Sequence, residues 1–172
     1  MKSPICEVCL RSEILCSACQ GKVDSGELKE RDVHVLGLIY KETERNKSLS
    51  DIQIKKIIDG QDLVLVVCNQ GSGRKIVGKG GFFAKKLEQA AGKPVRVVEE
   101  SSDVRSFLQN IILPVPIINL NILYTSSGDK YKIIIPQRSR LPMPLKTFQS
   151  IAMDVTGKNV EIGFEDAGLK KV

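Results

Sequence analysis

GSGRKIVGKGG, residues 71–81, is the stretch that decides how this chain is interpreted. Gly73, Gly78 and Lys79 are spaced as in the phosphate-binding loop of an NTPase, which also needs a Ser or Thr after the lysine to hold magnesium. Gly80 stands at that position, and the apolar pair before Gly78 occupies the place of small or polar residues. The surrounding repeat units of about 65 residues, described below, are also too small to supply the large parallel sheet of such enzymes. The stretch therefore argues against an NTPase.

The same stretch contains two glycines, Gly78 and Gly81, that flank Lys79 and Gly80. A short helical turn is predicted before them and a longer helix from about Phe82 after them. Glycines without a Cβ let the backbone lie against a sugar-phosphate chain, and the amides of a helix N-terminus attract a phosphate. With an apolar strand on each side, this pattern resembles the GXXG loop of a KH domain. The candidate RNA-binding residues are Arg74, Lys75, Ile76, Val77, Gly78, Lys79, Gly80, Gly81, Lys85 and Lys86, with Lys93 and Arg96 as further flanking cations.

Composition agrees with a polyanionic partner. The chain has 172 residues, 42% of them hydrophobic, a net charge of +6 and a pI near 9.1. This length allows one ordinary domain or two small ones. No run of about 18 apolar residues is present, and the first residues lack the apolar core of a signal peptide. We expect a cytoplasmic protein.

A weak internal repeat with an offset of 65 residues divides most of the chain into two units. Gly92 and Gly157 each end a predicted helix and precede a β-branched strand, and Phe83 aligns with Phe148. Residues 52–58 and 117–123 are predicted as strands, although a short helix at 52–58 is a close alternative. In the second strand Ile118, Leu120 and Ile122 alternate with polar residues. Further predictions are a helix start at Asp24 or Ser25, a helix from about Ser102 and a turn at 127–129.

Each unit is therefore predicted to be α+β, with the order helix, strand, strand, helix, helix, strand, which resembles a type II KH domain. Two such units in tandem, with Ile-Val-Gly-Lys-Gly-Gly in the first, resemble the KH pair of the transcription factor NusA and its archaeal relatives. The resemblance implies single-stranded RNA binding, about four nucleotides per active groove, in transcription elongation or termination. We expect a zinc-binding segment over 1–22, a first KH domain over 23–100 and a KH-like domain over 101–172.

The second unit departs from this pattern at its loop. Met143, Pro144, Leu145 and Lys146 stand where the first unit has Gly-Lys-Gly-Gly. Proline has no amide to donate and bulky residues prevent close backbone approach, so we expect the fold without the phosphate grip. Cations nearby leave RNA contact from the side open, and residues 141–144 are equally compatible with a protein contact.

Four of the five cysteines form two CXXC pairs separated by six residues: Cys6, Cys9, Cys16 and Cys19. Each CXXC pair can form a tight turn, or knuckle, whose amides point at the sulfurs. In a reducing compartment, two such knuckles indicate a tetrathiolate site for one structural zinc ion, with an iron-sulfur cluster or disulfides as less favoured alternatives. Bound metal would supply the folding free energy that so short a segment lacks. Arg11 is a possible contact or a surface charge.

No catalytic constellation is apparent, so we expect a protein that is not an enzyme. His34 has no second ligand or nucleophile nearby in sequence, and Cys68 ends an apolar strand and is interpreted as a core residue. The alternative to RNA binding as the main activity is a scaffold. Such a scaffold would dock on RNA polymerase, the ribosome or an RNA-processing complex through the zinc segment and the second unit.

Overall fold

The computed structural model describes residues 1–126 and 128–165. Within these ranges the chain is α+β, with seven α-helices and two three-stranded sheets. It divides into two compact units, Met1–Glu100 and Ser101–Val172. Ser127 of the predicted turn and residues 166–172 of the expected second domain lie outside the described residues. Among the described helices, none combines the length and apolar character that a membrane span requires.

Three helices begin the first unit: α1 (Glu7–Ser12), α2 (Ser17–Asp24) and α3 (Glu30–Arg45). The helix start predicted at Asp24 or Ser25 is wrong, because α2 ends at Asp24. The signal that starts α3 lies further on, where the carboxylate of Asp32 accepts a hydrogen bond from the backbone N–H of Lys29 at 2.8 Å. This cap satisfies an amide that the helix itself leaves without a partner.

The sheet of the first unit has the order β1-β2-β3, formed by β1 (Ile54–Asp59), β2 (Val64–Cys68) and β3 (Val95–Glu99). β1 is antiparallel to β2, and β3 is parallel to β2. The strand prediction at 52–58 is confirmed, and the helical alternative is wrong. A parallel pair needs a crossover, which α4 (Gly73–Val77) and α5 (Phe82–Ala91) provide.

The core of the first unit lies between this sheet and helices α3 and α5. Ile39 of α3, Val66 of β2 and Leu87 of α5 are fully buried there. Ile5 and Leu10 from the cysteine-rich segment belong to the same core. This segment therefore shares the hydrophobic core of the first unit, which begins at Met1.

The second unit contains α6 (Val104–Ile112), β4 (Asn119–Leu123), β5 (Lys130–Ile135), α7 (Leu145–Thr156) and β6 (Asn159–Phe164). Its sheet has the order β4-β5-β6, again with one antiparallel and one parallel pair. The helix-ending glycines predicted from the repeat are confirmed: Gly92 and Gly157 have φ of 68° and 69° after α5 and α7.

The second unit differs from the prediction in two respects. Between β5 and α7 the described residues form no helix, so the six-element order is found only in the first unit. Pro136, Pro142 and Pro144 lie in this connection and lack the N–H that a helical turn donates. Strand β4 forms as predicted, but its expected core face is poorly covered: Ile118 and Ile122 remain 38% and 45% exposed at the sheet edge.

Candidate nucleic-acid interface and cysteine cluster

The glycine loop joins α4 to α5 through a single turn of 3-10 helix over Lys79–Gly81. Gly78, Gly80 and Gly81 all have positive φ, at 76°, 63° and 75°. Residues with a Cβ rarely adopt these angles, so the glycines determine the path of the chain. An added Cβ would meet nothing within 4 Å at Gly80 or Gly81. The backbone there is open to an incoming group.

Gly78 has a different role from its neighbours. A Cβ on Gly78 would lie 3.2 Å from the Cβ of Phe83 and 3.4 Å from its backbone nitrogen. Phe83 is 5% exposed, and burying such a ring contributes about 1.5–3 kcal/mol. Gly78 thus allows the loop to pack closely on the start of α5, whereas Gly80 and Gly81 leave an open surface.

The cations predicted to bind RNA differ in their partners. Arg74, Lys79 and Lys85 are exposed, and none of them forms an ion pair within the described ranges. Lys86 is half-buried on α5. In contrast, the ammonium of Lys75 donates to both carboxylate oxygens of Asp51, at 2.9 and 2.8 Å. The positive charge is therefore concentrated on the loop itself and on the exposed faces of α4 and α5.

The two flanking cations after α5, Lys93 and Arg96, are ion-paired or partly buried in the fold. Lys93 pairs with the carboxylate of Asp59, which is 4% exposed, and donates to the carbonyl of Gly60 at 2.6 Å. Burial lowers the pKa of Arg96. Lys93 thus belongs to an ion-pair cluster at the end of β1, and it does not add to the exposed charge around the loop.

The start of α4 is fixed by side chains beyond the glycine loop. The backbone N–H of Gly73 donates to Oε1 of Glu99 at 2.8 Å, and a Cβ on Gly73 would lie 2.9 Å from this oxygen. The hydroxyl of the buried Ser72 donates to Asn69 Oδ1 at 2.6 Å. Ile76, fully buried, then anchors the helix in the core. These contacts hold α4 at the carboxyl ends of β2 and β3.

The loop of the second unit has a different surface. Met143 is buried, and Pro144 is the N-cap of α7, so the helix begins two residues earlier relative to the repeat than α5 does. A cavity of about 480 Å³ opens beside it, lined mainly by apolar residues that include Leu141, Leu145 and Phe164. Arg138, Arg140 and Lys146 are exposed in the same connection or in the first turn of α7. This arrangement provides an apolar groove in place of an open backbone.

The four clustered cysteines converge at the N-terminal ends of two helices. Cys6 and Cys16 are the N-caps of α1 and α2, while Cys9 and Cys19 lie in the first turns and are buried. Their four sulfur atoms all lie within 4.8 Å of one another. A tetrahedral zinc ion with Zn–S bonds of about 2.3 Å needs sulfurs about 3.8 Å apart, so changes of about 1 Å or less in the sulfur separations complete the site. The four residues therefore can hold a metal ion.

Backbone amides point at the sulfurs in a nearly symmetrical pattern. The N–H of Cys16 donates to Cys9 Sγ at 3.1 Å, and the N–H of Cys6 donates to Cys19 Sγ at 3.5 Å. A hydrogen bond from the Cys19 amide lowers the pKa of Cys16 to about 7, and one from the Cys9 amide lowers the pKa of Cys6. Although amide hydrogen bonds oppose it, the side-chain hydrogen bond with Cys6 raises the pKa of Cys9 to about 12, and burial raises the pKa of Cys19. Amides that stabilise thiolates are the surroundings that a tetrathiolate metal site requires.

The cluster is attached to the first unit through α1 and α3. The hydroxyl of Tyr40 donates to Oε1 of Glu7 at 3.0 Å, and Lys41 pairs with Glu13. Arg11 is exposed and pairs with Glu44 at 3.4 Å. These polar contacts surround the buried Leu10 and fix the cysteine-rich segment against α3.

The two remaining reactive side chains, His34 and Cys68, lie outside the cysteine cluster. His34 is exposed on α3. Cys68 is fully buried in β2, and burial raises the pKa of its thiol to about 12. Among the described residues, the cysteine cluster is the one group of His, Cys, Asp and Glu side chains close enough together to bind a metal ion.

Sequence reasoning missed three features of the loop region. The pairing of Lys75 with Asp51 and the contact between Gly73 and Glu99 join residues distant in sequence, for which no local signal exists. The third is Phe82, whose side chain is 75% exposed. Two adjacent phenylalanines at the start of an amphipathic helix do carry a signal, because only one of them can face the core.

Fold and site together define a tandem α+β protein with an open glycine loop in one unit and a metal-competent cysteine cluster. The chain is 29% identical over 69 residues, 40% of its length, to the probable transcription termination protein NusA of Methanocaldococcus jannaschii. This match spans 38% of the relative's own length. The crystal structure of APE1850 resembles the fold with a TM-score of 0.55 and 18% identity, covering 73% of this chain and 96% of that one. No family model matches the chain.

Proposed function

We propose that this protein binds single-stranded RNA without enzymatic activity, through the glycine loop of its first unit, in transcription elongation or termination. In this proposal the units are type II KH-like domains over 23–100 and 101–172, and only the first has a working GXXG groove. RNA is the principal partner, and the protein acts in the cytoplasm.

The observation that carries the proposal is the open backbone at Gly80 and Gly81, directly before α5. The first amides of a helix have no acceptor within the helix, and its N-terminus carries a partial positive charge. A phosphate can approach these amides because no Cβ stands in the way. Lys79 adds an exposed charge within the loop. The ligand class that fits such a surface is a sugar-phosphate chain.

The similarity to the archaeal termination protein supports the link to transcription, since that relative is described as acting in termination. The net charge of +6 supports a nucleic-acid partner, because neutralising phosphates releases condensed counterions. In our proposal the cysteine cluster holds one zinc ion. Four thiolates fill its coordination sphere, so the metal stabilises the segment and has no open position for a catalytic water.

A second candidate function is a scaffold that docks on RNA polymerase, the ribosome or an RNA-processing complex. The apolar groove beside Leu145 and Phe164 favours it, because grooves of this kind accommodate protein segments. Substituting two exposed residues of this groove, Leu145→Asp and Phe164→Asp, and capturing partners from cell extract separates the two candidates. A scaffold loses its partners, whereas RNA binding through the glycine loop continues.

The direct test measures binding of a fluorescent single-stranded RNA octamer pool by anisotropy at several salt concentrations. The double variant Lys79→Asp, Gly80→Asp places carboxylates where the phosphate would lie. Gly80 has open space around it, and Asp tolerates its left-handed angles, so the fold should persist. We expect binding to fall at least tenfold.

The matched control is Leu145→Asp, Lys146→Asp in the second unit. It changes the net charge equally, and acidic residues in the first turn of α7 are favourable for the helix. This control should retain most of the affinity. Equal losses in both variants would mean that net charge alone attracts the RNA, and an unaffected loop variant would remove the groove from the proposal.

A further inference from the structure

Phe82 is a large apolar side chain that the fold displays to solvent beside the glycine loop. It is the first residue of α5, directly after Gly81, and 75% of it is exposed. Its neighbour Phe83 is 5% exposed and supplies the aromatic contact that α5 makes with the core. Successive residues on a helix point about 100° apart, so the core uses one ring and leaves the other free.

The second unit shows that the fold does not need an aromatic residue at this position. The repeat that aligns Phe83 with Phe148 aligns Phe82 with Thr147. Thr147 is 3% exposed, and Phe148 is fully buried like its counterpart. The same architecture therefore places a small buried residue where the first unit exposes a phenylalanine. The difference coincides with the loop, because the second unit also lacks the glycines.

The position of the ring relates it to the loop. Side chains on a helix lean toward the N-terminus, so a residue in the first turn covers the surface just before its own Cα. For Phe82 this surface is the glycine loop, whose backbone is open at Gly80 and Gly81. An apolar face thus lies next to a surface suited to phosphate, and these are the two chemical parts of an unstacked nucleotide.

We propose that Phe82 is a stacking platform for the base of the nucleotide whose phosphate binds at the glycine loop. This inference rests on the proposed function and adds how the site distinguishes a nucleotide chain from any other polyanion. Stacking accepts every base, because each has a π-face, and it favours purines, which have the larger face. It is available only in single strands, where the base is free to leave its neighbours.

The test compares three octamers of equal charge: oligo(rA), oligo(rU) and an abasic ribose-phosphate chain. Their dissociation constants are measured by anisotropy at one salt concentration for the unsubstituted protein and for Phe82→Ala. Loss of stacking is expected to weaken oligo(rA) binding by about 5- to 150-fold. Oligo(rU) binding should fall by a smaller factor, and binding of the abasic chain should change less than twofold.

Three further variants isolate the ring. Phe82→Tyr keeps the aromatic face and should retain affinity within about threefold, whereas Phe82→Leu keeps the apolar bulk and should behave like Phe82→Ala. Tyr124→Ala removes an aromatic residue that is 80% exposed in the second unit and should leave all three constants unchanged. Because Phe82 is exposed, these substitutions leave the core intact, and far-UV circular dichroism verifies the fold.

The outcomes separate the inference from the function on which it rests. If Phe82→Ala weakens the abasic chain as much as oligo(rA), the ring supports the loop and does not stack. If it changes neither, Phe82 lies outside the site and stacking is refuted while RNA binding stands. If the unsubstituted protein binds none of the three octamers, the proposed function fails and this inference fails with it.

Discussion

Gly78→Ala should destabilise the start of α5 far more than Gly80→Ala, although both glycines lie in the same turn. Gly78 has φ 76° and ψ 170°, a region nearly restricted to glycine, which costs other residues about 1–3 kcal/mol. Its new Cβ would also press on the Cβ of Phe83 at 3.2 Å, and this atom cannot move without the helix backbone. Gly80 has φ 63° and ψ 18°, a left-handed position costing about 1–2 kcal/mol, with open space around it.

Each substitution also lowers the conformational entropy of the unfolded chain, which offsets about 0.4–1 kcal/mol of the destabilisation. The net loss is therefore about 0–1.5 kcal/mol for Gly80→Ala. For Gly78→Ala the backbone terms leave about 0–2.5 kcal/mol, and the contact with Phe83 adds about 1–3 kcal/mol, so the two variants should differ by about 2 kcal/mol. Hydrogen exchange of the α5 amides near Leu87 measures the local free energy of opening. A difference of about 2 kcal/mol appears as exchange roughly 30-fold faster in Gly78→Ala. Equal exchange rates in the two variants would refute the close packing of the loop on Phe83.

Three other predictions concern the first unit. Cys9→Ser should reduce bound zinc, measured by elemental analysis, from about one ion per chain to near zero, while the control Cys68→Ser leaves the zinc content unchanged. Removing the metal from the unsubstituted protein with a chelator should increase proteolytic cleavage within residues 1–22. Asp59→Ala should lower the free energy of unfolding by about 2–3 kcal/mol in urea titrations, because it leaves Lys93 without its buried partner. Although burial opposes ionisation of Asp59, the hydrogen bond from Lys93 lowers its pKa. The stabilisation is therefore present at neutral pH and is lost in acid. The thiol of Cys68, with its pKa raised to about 12, should resist thiol reagents at pH 8 until the unit unfolds, and prompt labelling of the native protein would contradict this burial. Because the thiol ionises more readily in the unfolded chain, the free energy of unfolding should fall as pH rises above about 9.

The local elements of the fold were predictable because their signals lie within a few residues of one another. Gly92 and Gly157 end α5 and α7 because glycine readily adopts the left-handed conformation that terminates a helix, and each is followed by an apolar strand as predicted. The two CXXC pairs were recognisable for the same reason, since a knuckle is built within four residues. The glycine loop was also located correctly between a short and a longer helix.

Elements whose conformation depends on distant residues were predicted less well. The start of α3 was misplaced because α2 extends to Asp24, and the length of α2 depends on how the cysteine segment packs. The burial of β4 was overestimated, since alternation identifies the two faces of a strand and not what covers them. The absence of a short helix before α7 reflects the prolines in that connection, a signal present in the sequence but outweighed by the repeat.

By itself, the sequence determined where the strands and the helices α4 to α7 form, which turn is made of glycine and which cysteines cluster, because each depends on the conformational range or spacing of neighbouring residues. Only the tertiary structure decided which charges and rings remain available. Lys75 faces Asp51 and Lys93 faces Asp59, while Phe82 stays exposed beside a buried Phe83. Ion pairing and burial depend on groups brought together from distant parts of the chain, and no local pattern encodes them.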